Sequence, residues 1–128
     1  MLFLFVMLGC ALGGVVRSIG AGLITRFCGE RLPWGTLGVN LLGSFLLGLL
    51  LGWGSLASAG WLAGDGGFAF AGIGFCGGLT TFSTLSLQSF ALVSERAWGR
   101  ALANLLGSVI LCLLCVVSGY AIGEGLAV

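Results

Sequence analysis

Charged residues are scarce in this sequence, and histidine is absent. Only 7% of the 128 residues are charged, against about 25% in a typical soluble domain, and 59% are hydrophobic. A soluble chain this short leaves much of its surface exposed and could not bury so many apolar side chains. We therefore predict that the chain lies in a lipid bilayer. The net charge of +1 gives no basic surface for nucleic acid, and without histidine or a nucleophile–base pair we predict no enzyme site and no organic cofactor.

The few charges divide the chain into long uncharged stretches. A membrane-spanning helix needs roughly 20 mostly apolar residues. The stretches therefore predict an all-α membrane protein with four transmembrane helices, at about residues 2–25, 34–54, 61–93 and 97–120, in one domain of residues 1–128. The first helix lacks the basic start of a cleaved signal peptide, so we expect it to remain.

Glycine is abundant, with 25 residues, and many glycines recur four positions apart. Gly9 and Gly13 share one face of the first helix, and Gly48 and Gly52 share one face of the second. Small residues at this spacing let membrane helices approach closely, so we interpret these stripes mainly as packing seams. For the amides Asn40 and Asn104 we favour a functional role, because a buried amide is costly without partners.

The third helix contains its least regular stretch near residues 75–81, where Gly77 and Gly78 precede Thr80 and Thr81. Paired glycines followed by threonines form a poor continuous helix. One interpretation is a helix broken near mid-membrane, whose freed carbonyls hold a cation. The other is a simple glycine kink packed against a neighbouring helix, and the residues alone leave both open.

Three motifs carry a resemblance to a known family. Residues 77–84, Gly-Gly-Leu-Thr-Thr-Phe-Ser-Thr, resemble the signature of the small fluoride channels of the Fluc or CrcB family. Residues 35–45 resemble that family's second-helix motif, and residues 13–17 resemble its first-helix glycine-and-arginine motif. The resemblance implies a passive fluoride channel in the cell inner (plasma) membrane. It also implies an antiparallel, dual-topology dimer with two pores and a broken third helix.

The resemblance further assigns roles to particular residues. Backbone carbonyls of Gly77 and Thr80 from both subunits are expected to hold a structural sodium ion. Arg17 is expected to lend positive charge to an aqueous vestibule, although an arginine at this depth can also serve as a snorkelling anchor. The fluoride path is expected to use Asn40, Phe82, Ser83, Thr84 and Ser108, with Thr36 near its end.

The chemistry of these residue types agrees with an anion path independently of the resemblance. Fluoride is small and strongly hydrated, so a pore must replace its water with donors. Amide N–H and hydroxyl groups can donate, and an aromatic ring has a positive edge. Conduction also needs weak, multiple sites, which uncharged polar side chains provide.

Three residues depart from the family pattern. Leu85 replaces a second phenylalanine, Gln88 replaces a frequent glutamate, and Cys112 stands where a hydroxyl would extend the polar track. These departures keep open a non-conducting subunit, or a partner subunit in a heterodimer with a sister chain. A small multidrug-type exporter is a further alternative, but it needs a carboxylate embedded in the membrane, and every acidic residue falls at a predicted loop or terminus.

Overall fold

The computed structural model describes residues 1–29, 33–56 and 64–126, and these residues are almost entirely helical. Four stretches are long and apolar enough to cross a membrane, as the sequence predicts: Leu2–Cys28, Trp34–Gly54, Asp65–Ser94 and Trp98–Leu126. We call Asp65–Ser94 the third span. The helices in chain order are α1 (Leu2–Cys28), α2 (Trp34–Leu56), α3 (Asp65–Phe68), a π-helix (Ala69–Cys76), α4 (Gly77–Leu79), α5 (Ser83–Ser94) and α6 (Trp98–Leu126).

The helix ends differ from the predicted ones by a few residues. α1 continues past Thr25 to Cys28, and α6 continues past Tyr120 to Leu126, because no proline interrupts either pattern. α1 stops at Gly29, whose φ of 84° is a conformation that favours glycine. The third helix was predicted to begin near residue 61, which lies outside the described residues.

The turn between α5 and α6 has a defined hydrogen-bonding geometry. Arg96 has a φ of 58°, and its N–H donates to the Val93 carbonyl at 2.9 Å. The Ala97 N–H donates to the Leu92 carbonyl, also at 2.9 Å. This pair of bonds is the Schellman arrangement, which satisfies carbonyls that the end of a helix leaves free. It lets α6 return alongside α5 after a very short connection.

Two glycine seams hold the spans together. A Cβ atom added at Gly9 would collide with the carbonyl of Phe70, and one added at Gly13 would collide with the carbonyl of Phe75. α1 therefore lies directly against the backbone of the π-helix, because its own backbone carries no side chain there. Close approach of this kind is how helices associate in lipid, where no hydrophobic effect drives them together.

The second seam joins α2 to α6. Gly48 and Gly52 face the carbonyls of Val116 and Tyr120, and Gly119 reciprocally faces the carbonyl of Phe45. The glycine stripes thus serve as packing seams, as the sequence indicates. The outward faces of α1 and α6 carry exposed leucine, valine, isoleucine and phenylalanine side chains, which suits contact with lipid.

Candidate functional site

The third span is interrupted after Leu79. Thr80 is extended, with φ −85° and ψ 157°, and the helix resumes only at Ser83. Gly77 and Gly78 are themselves helical, so the interruption lies at the end of the stretch singled out in the sequence rather than at the glycine pair. A long-range contact from Asn40 on α2 explains its position better than glycine content does.

Asn40 on α2 binds the backbone of Thr81. Its Oδ1 accepts the Thr81 N–H at 2.7 Å, and its Nδ2 donates to the Thr81 carbonyl at 3.0 Å. Only 7% of Asn40 is exposed, so these bonds satisfy an amide that would otherwise be costly to bury. The side chain thereby replaces two backbone partners that the broken helix can no longer supply.

The Thr81 hydroxyl is the centre of a small hydrogen-bonded cluster. Its Oγ1 accepts the backbone N–H of Thr84 at 3.3 Å, which caps the start of α5. The same oxygen lies 3.2 Å from Ser83 Oγ and 3.1 Å from Thr84 Oγ1. Thr81 is not among the site residues predicted from the sequence. The available signal was its place shortly before a helical run, where threonine often caps a helix.

These contacts change the partners of two carbonyls. In a regular helix the Thr81 N–H would donate to the Gly77 carbonyl, and the Thr84 N–H would donate to the Thr80 carbonyl. Asn40 Oδ1 and Thr81 Oγ1 take those two donors instead. The carbonyls of Gly77 and Thr80, which the resemblance assigns to a sodium ion, have therefore lost their helical donors.

The Arg17 side chain extends from α1 to the interruption of the third span. Its Nη1 donates to the Thr80 carbonyl at 3.4 Å, which is long for a hydrogen bond. The side chain is half-buried, so it does not extend freely towards a membrane surface. Its guanidinium instead brings positive charge to the interruption. A carbonyl oxygen has two lone pairs, so this contact leaves Thr80 able to bind a second group.

An open groove of about 610 Å³ lies between α2, the third span and α6. It brings together five of the predicted site residues, namely Asn40, Gly77, Thr80, Phe82 and Ser108. Phe82 is 72% exposed, whereas Ser108 is only 3% exposed. The groove is lined otherwise by small and apolar side chains, so it is a mostly dry surface with a few polar groups at the interruption.

The other predicted path residues lie beside the groove and do not line it. Thr36 is buried one turn before Asn40 on α2. Ser83 is exposed and Thr84 is half-buried, and both are linked to the groove through Thr81. Asn104 lies outside the groove lining and donates from Nδ2 to Ser89 Oγ at 3.0 Å, which ties α6 to α5.

The three departures from the family pattern have distinct environments. Leu85 is buried and lines the groove, and Cys112 is a half-buried free thiol that also lines it. Gln88 has a buried Oε1 for which the described part of the chain provides no hydrogen-bond partner. A buried acceptor without a donor is unusual in a native structure.

The fold and the site together define a multi-pass membrane protein in which polar groups gather at an interrupted span. Residues 4–120 match the family described as CrcB-like protein, Camphor Resistance (CrcB). The chain is 42% identical over 125 residues to the fluoride-specific ion channel FluC of Opitutus terrae, covering 98% of this chain and 94% of that protein. It is 44% identical over 126 residues to FluC of Gluconobacter oxydans, covering 95% and 84%.

The protein therefore belongs to the CrcB-like family, the FluC family of fluoride-specific ion channels. The resemblance inferred from the three sequence motifs is confirmed. Members of this family are named as ion channels and not as enzymes.

Proposed function

We propose that this chain forms a passive, fluoride-selective channel that exports fluoride across the cell inner (plasma) membrane. The observation that carries the proposal is the set of uncharged donors at the interrupted span. Asn40 has a second amide hydrogen beyond the one given to Thr81, and Ser83, Thr84 and Ser108 each have a hydroxyl. These groups can replace the water of a small anion without binding it too tightly to leave.

Phe82 supplies a second kind of anion contact in this proposal. Its ring is largely exposed beside the groove, so it is free to present its positive edge to a passing ion. A ring edge attracts an anion weakly and offers it no proton. Weak attraction of this kind supports rapid release, which a fixed charge in the same position would prevent.

We further propose that the groove is covered by a second copy of the chain in antiparallel orientation, which gives a dimer with two pores. The exposed backbone at Gly77 and the exposed ring of Phe82 both border the groove, where a second subunit would meet them. Few charged groups line this surface, so a like copy meets little electrostatic repulsion.

A structural sodium ion fits the same interface. The carbonyls of Gly77 and Thr80 have lost their helical donors, and backbone oxygens suit a hard cation. When bound, the ion would supply fixed positive charge and link the two subunits. In this proposal Asn40 and Thr81 act on the ion only by keeping the helical N–H donors away from these carbonyls. Among the described residues no group of three or more His, Cys, Asp or Glu side chains offers a competing site.

One observation favours a second candidate, a partner subunit in a heterodimeric channel. Leu85 lines the groove where the resemblance expects a second phenylalanine, and a sister subunit of different sequence would supply the ring edge that leucine lacks. A multidrug-type exporter is less well supported. Asp65 and Glu95 are exposed at the ends of the third span, Glu124 lies in the last turn of α6, and the groove lining contains no acidic residue.

Fluoride efflux from liposomes that contain only the purified chain tests these candidates. A passive homodimeric channel releases fluoride without a pH gradient and retains chloride. Equal release of both anions would contradict selectivity, and release only with a proton gradient would indicate a coupled transporter. No release from the pure chain, restored by a second purified family member, would indicate a heterodimer.

A further inference from the structure

The Thr81 hydroxyl has more hydrogen-bonding neighbours than one fixed arrangement of protons can satisfy. A threonine hydroxyl has one proton to donate and two lone pairs that accept. One lone pair of Thr81 Oγ1 accepts the Thr84 backbone N–H. One proton and one lone pair then remain for two hydroxyl neighbours, Ser83 Oγ at 3.2 Å and Thr84 Oγ1 at 3.1 Å.

This count allows two arrangements of protons. In the first, Ser83 donates to Thr81 and Thr81 donates to Thr84, so the Thr84 proton is free for another acceptor. In the second, Thr84 donates to Thr81 and Thr81 donates to Ser83, so the Ser83 proton is free. The two distances are nearly equal, so the geometry favours neither arrangement. Rotation of the hydroxyls interconverts them, and no covalent bond forms or breaks.

We propose that Thr81 is a positioning residue that makes one donor available to fluoride at a time, alternately from Ser83 and from Thr84. An anion bound to the free Ser83 proton stabilises the second arrangement, and an anion bound to Thr84 stabilises the first. Movement of the ion from one hydroxyl to the next therefore reverses the Thr81 hydroxyl. The inference rests on the proposed function, since it assumes that fluoride passes these side chains.

The backbone clamp from Asn40 makes such switching feasible. Both backbone groups of Thr81 are bonded to Asn40, so its main chain is fixed while the hydroxyl turns. The cap to Thr84 N–H likewise fixes the oxygen atom, which occupies the same position in both arrangements. Only protons move, so the exchange requires no displacement of heavy atoms in the packed interior.

Three substitutions separate this role from a purely structural one. Thr81→Ser keeps the proton and both lone pairs. Thr81→Asn offers a carbonyl oxygen that can still cap Thr84 N–H, as asparagine does at helix starts. That oxygen has two lone pairs, so it accepts the Thr84 N–H and one hydroxyl, while the amide N–H donates to the other hydroxyl. One hydroxyl proton therefore stays free, but the arrangement is fixed, because turning the amide over would lose the cap. Thr81→Val removes the hydroxyl, and both neighbouring protons then become free together.

The two disruptive variants should change the fluoride dependence of efflux in different ways. We expect Thr81→Asn to lower the maximal rate about tenfold, which corresponds to about 1.4 kcal/mol, and to leave the half-saturating fluoride concentration unchanged, because one donor stays free but cannot alternate. We expect Thr81→Val to lower both that concentration and the maximal rate several-fold, because two simultaneous donors hold the anion longer. Thr81→Ser should match the wild type in both quantities.

The experiment measures fluoride efflux from liposomes over a range of internal fluoride concentrations, with dimer assembly and Tm recorded for each variant. Absence of efflux from the wild type would refute the proposed function itself. Normal efflux from the wild type with an unchanged maximal rate in Thr81→Asn would overturn only the switching role. If Thr81→Asn does not assemble, a half-saturating concentration in Thr81→Val that is unchanged or raised overturns the proposal.

Discussion

Asn40 and Thr81 exchange two hydrogen bonds across 41 positions of sequence, with the side-chain amide of one residue pairing with the main chain of the other. The bond to Thr81 N–H removes the donor that would have continued the helix to Gly77. The bond from Nδ2 satisfies the Thr81 carbonyl, which would otherwise face a largely apolar interior. One side chain thus both interrupts the third span and stabilises the interruption.

Asn40→Asp should abolish fluoride efflux. The carboxylate can still accept the Thr81 N–H, but it has no proton for the Thr81 carbonyl and places two acceptors together. Loss of a partner for a buried carbonyl costs about 1–3 kcal/mol, so we also expect a lower Tm. Efflux and Tm are measured on the same preparation. Asn104→Asp is the matched comparison, since Asn104 also donates from its amide but lies outside the groove; loss of efflux in both variants would give Asn104 the functional role that the sequence predicts. Normal efflux in Asn40→Asp would show that the Asn40–Thr81 pair is dispensable.

Phe82→Ile should also abolish efflux, without lowering the stability of the subunit. The ring is 72% exposed, so little packing within one chain depends on it, whereas isoleucine has no positive ring edge for an anion. Phe90→Ile is the matched control, because Phe90 lies in the same span, is 67% exposed and does not line the groove. Equal efflux from both variants would place the anion path elsewhere.

Sodium should raise the Tm of the assembled protein. A ligand that binds only the folded state at one hundred times its Kd adds about 2.7 kcal/mol. We expect the Tm to fall when sodium is replaced by N-methyl-D-glucamine, a cation too large for a carbonyl site. Asn40→Ala should show a smaller sodium dependence, because the Thr81 N–H can then return to the Gly77 carbonyl. A wild-type Tm that does not respond to the exchange would argue against the ion.

The seam between α2 and α6 should be sensitive to a single methyl group. Gly48→Ala places a Cβ against the Val116 carbonyl, and forcing the helices apart typically costs about 1–3 kcal/mol. Gly22→Ala is the matched control, because nothing lies within 4 Å of a Cβ at that exposed position on α1. Thermal unfolding in detergent compares the two. Equal Tm values would mean that the seam adapts without cost.

The arginine distribution predicts a single orientation, in contrast to the dual topology that the family resemblance implies. Arg26 lies in the last turn of α1 and Arg96 in the turn before α6, while Arg31 lies outside the described residues. The positive-inside rule places these two connections in the cytoplasm and both termini outside. Arg26 and Arg100 can, however, serve as interfacial anchors, which would weaken the bias.

We expect the antiparallel homodimer, and labelling of intact cells tests it. A cysteine is added at the C-terminus of a variant in which the five native cysteines are replaced. Labelling of about half the molecules by an impermeant thiol reagent would agree with dual topology. Labelling of nearly all or none would mean one orientation, and the heterodimer would then become the leading assembly.

The sequence by itself determined the four spans and the chemical character of the site. Lipid requires long apolar stretches, and only 7% of the residues are charged, so the spans can be located by hydropathy alone. The motifs also contain seven of the seventeen residues that line the groove, including those at the interruption. The identity of these residues can be read directly from the sequence, because it does not depend on how the helices pack.

The tertiary structure decided where the third span is interrupted and which residue organises it. Gly77 and Gly78 have poor helix propensity but remain helical, and Gly78 packs directly against the backbone of Cys10 on α1. The interruption falls at Thr80 because Asn40, from another helix, competes successfully for the Thr81 N–H. Thr81 then gains its central position among the hydroxyls. Such competition between a local helical bond and a distant side chain depends on how the helices are placed, which residue order alone does not specify.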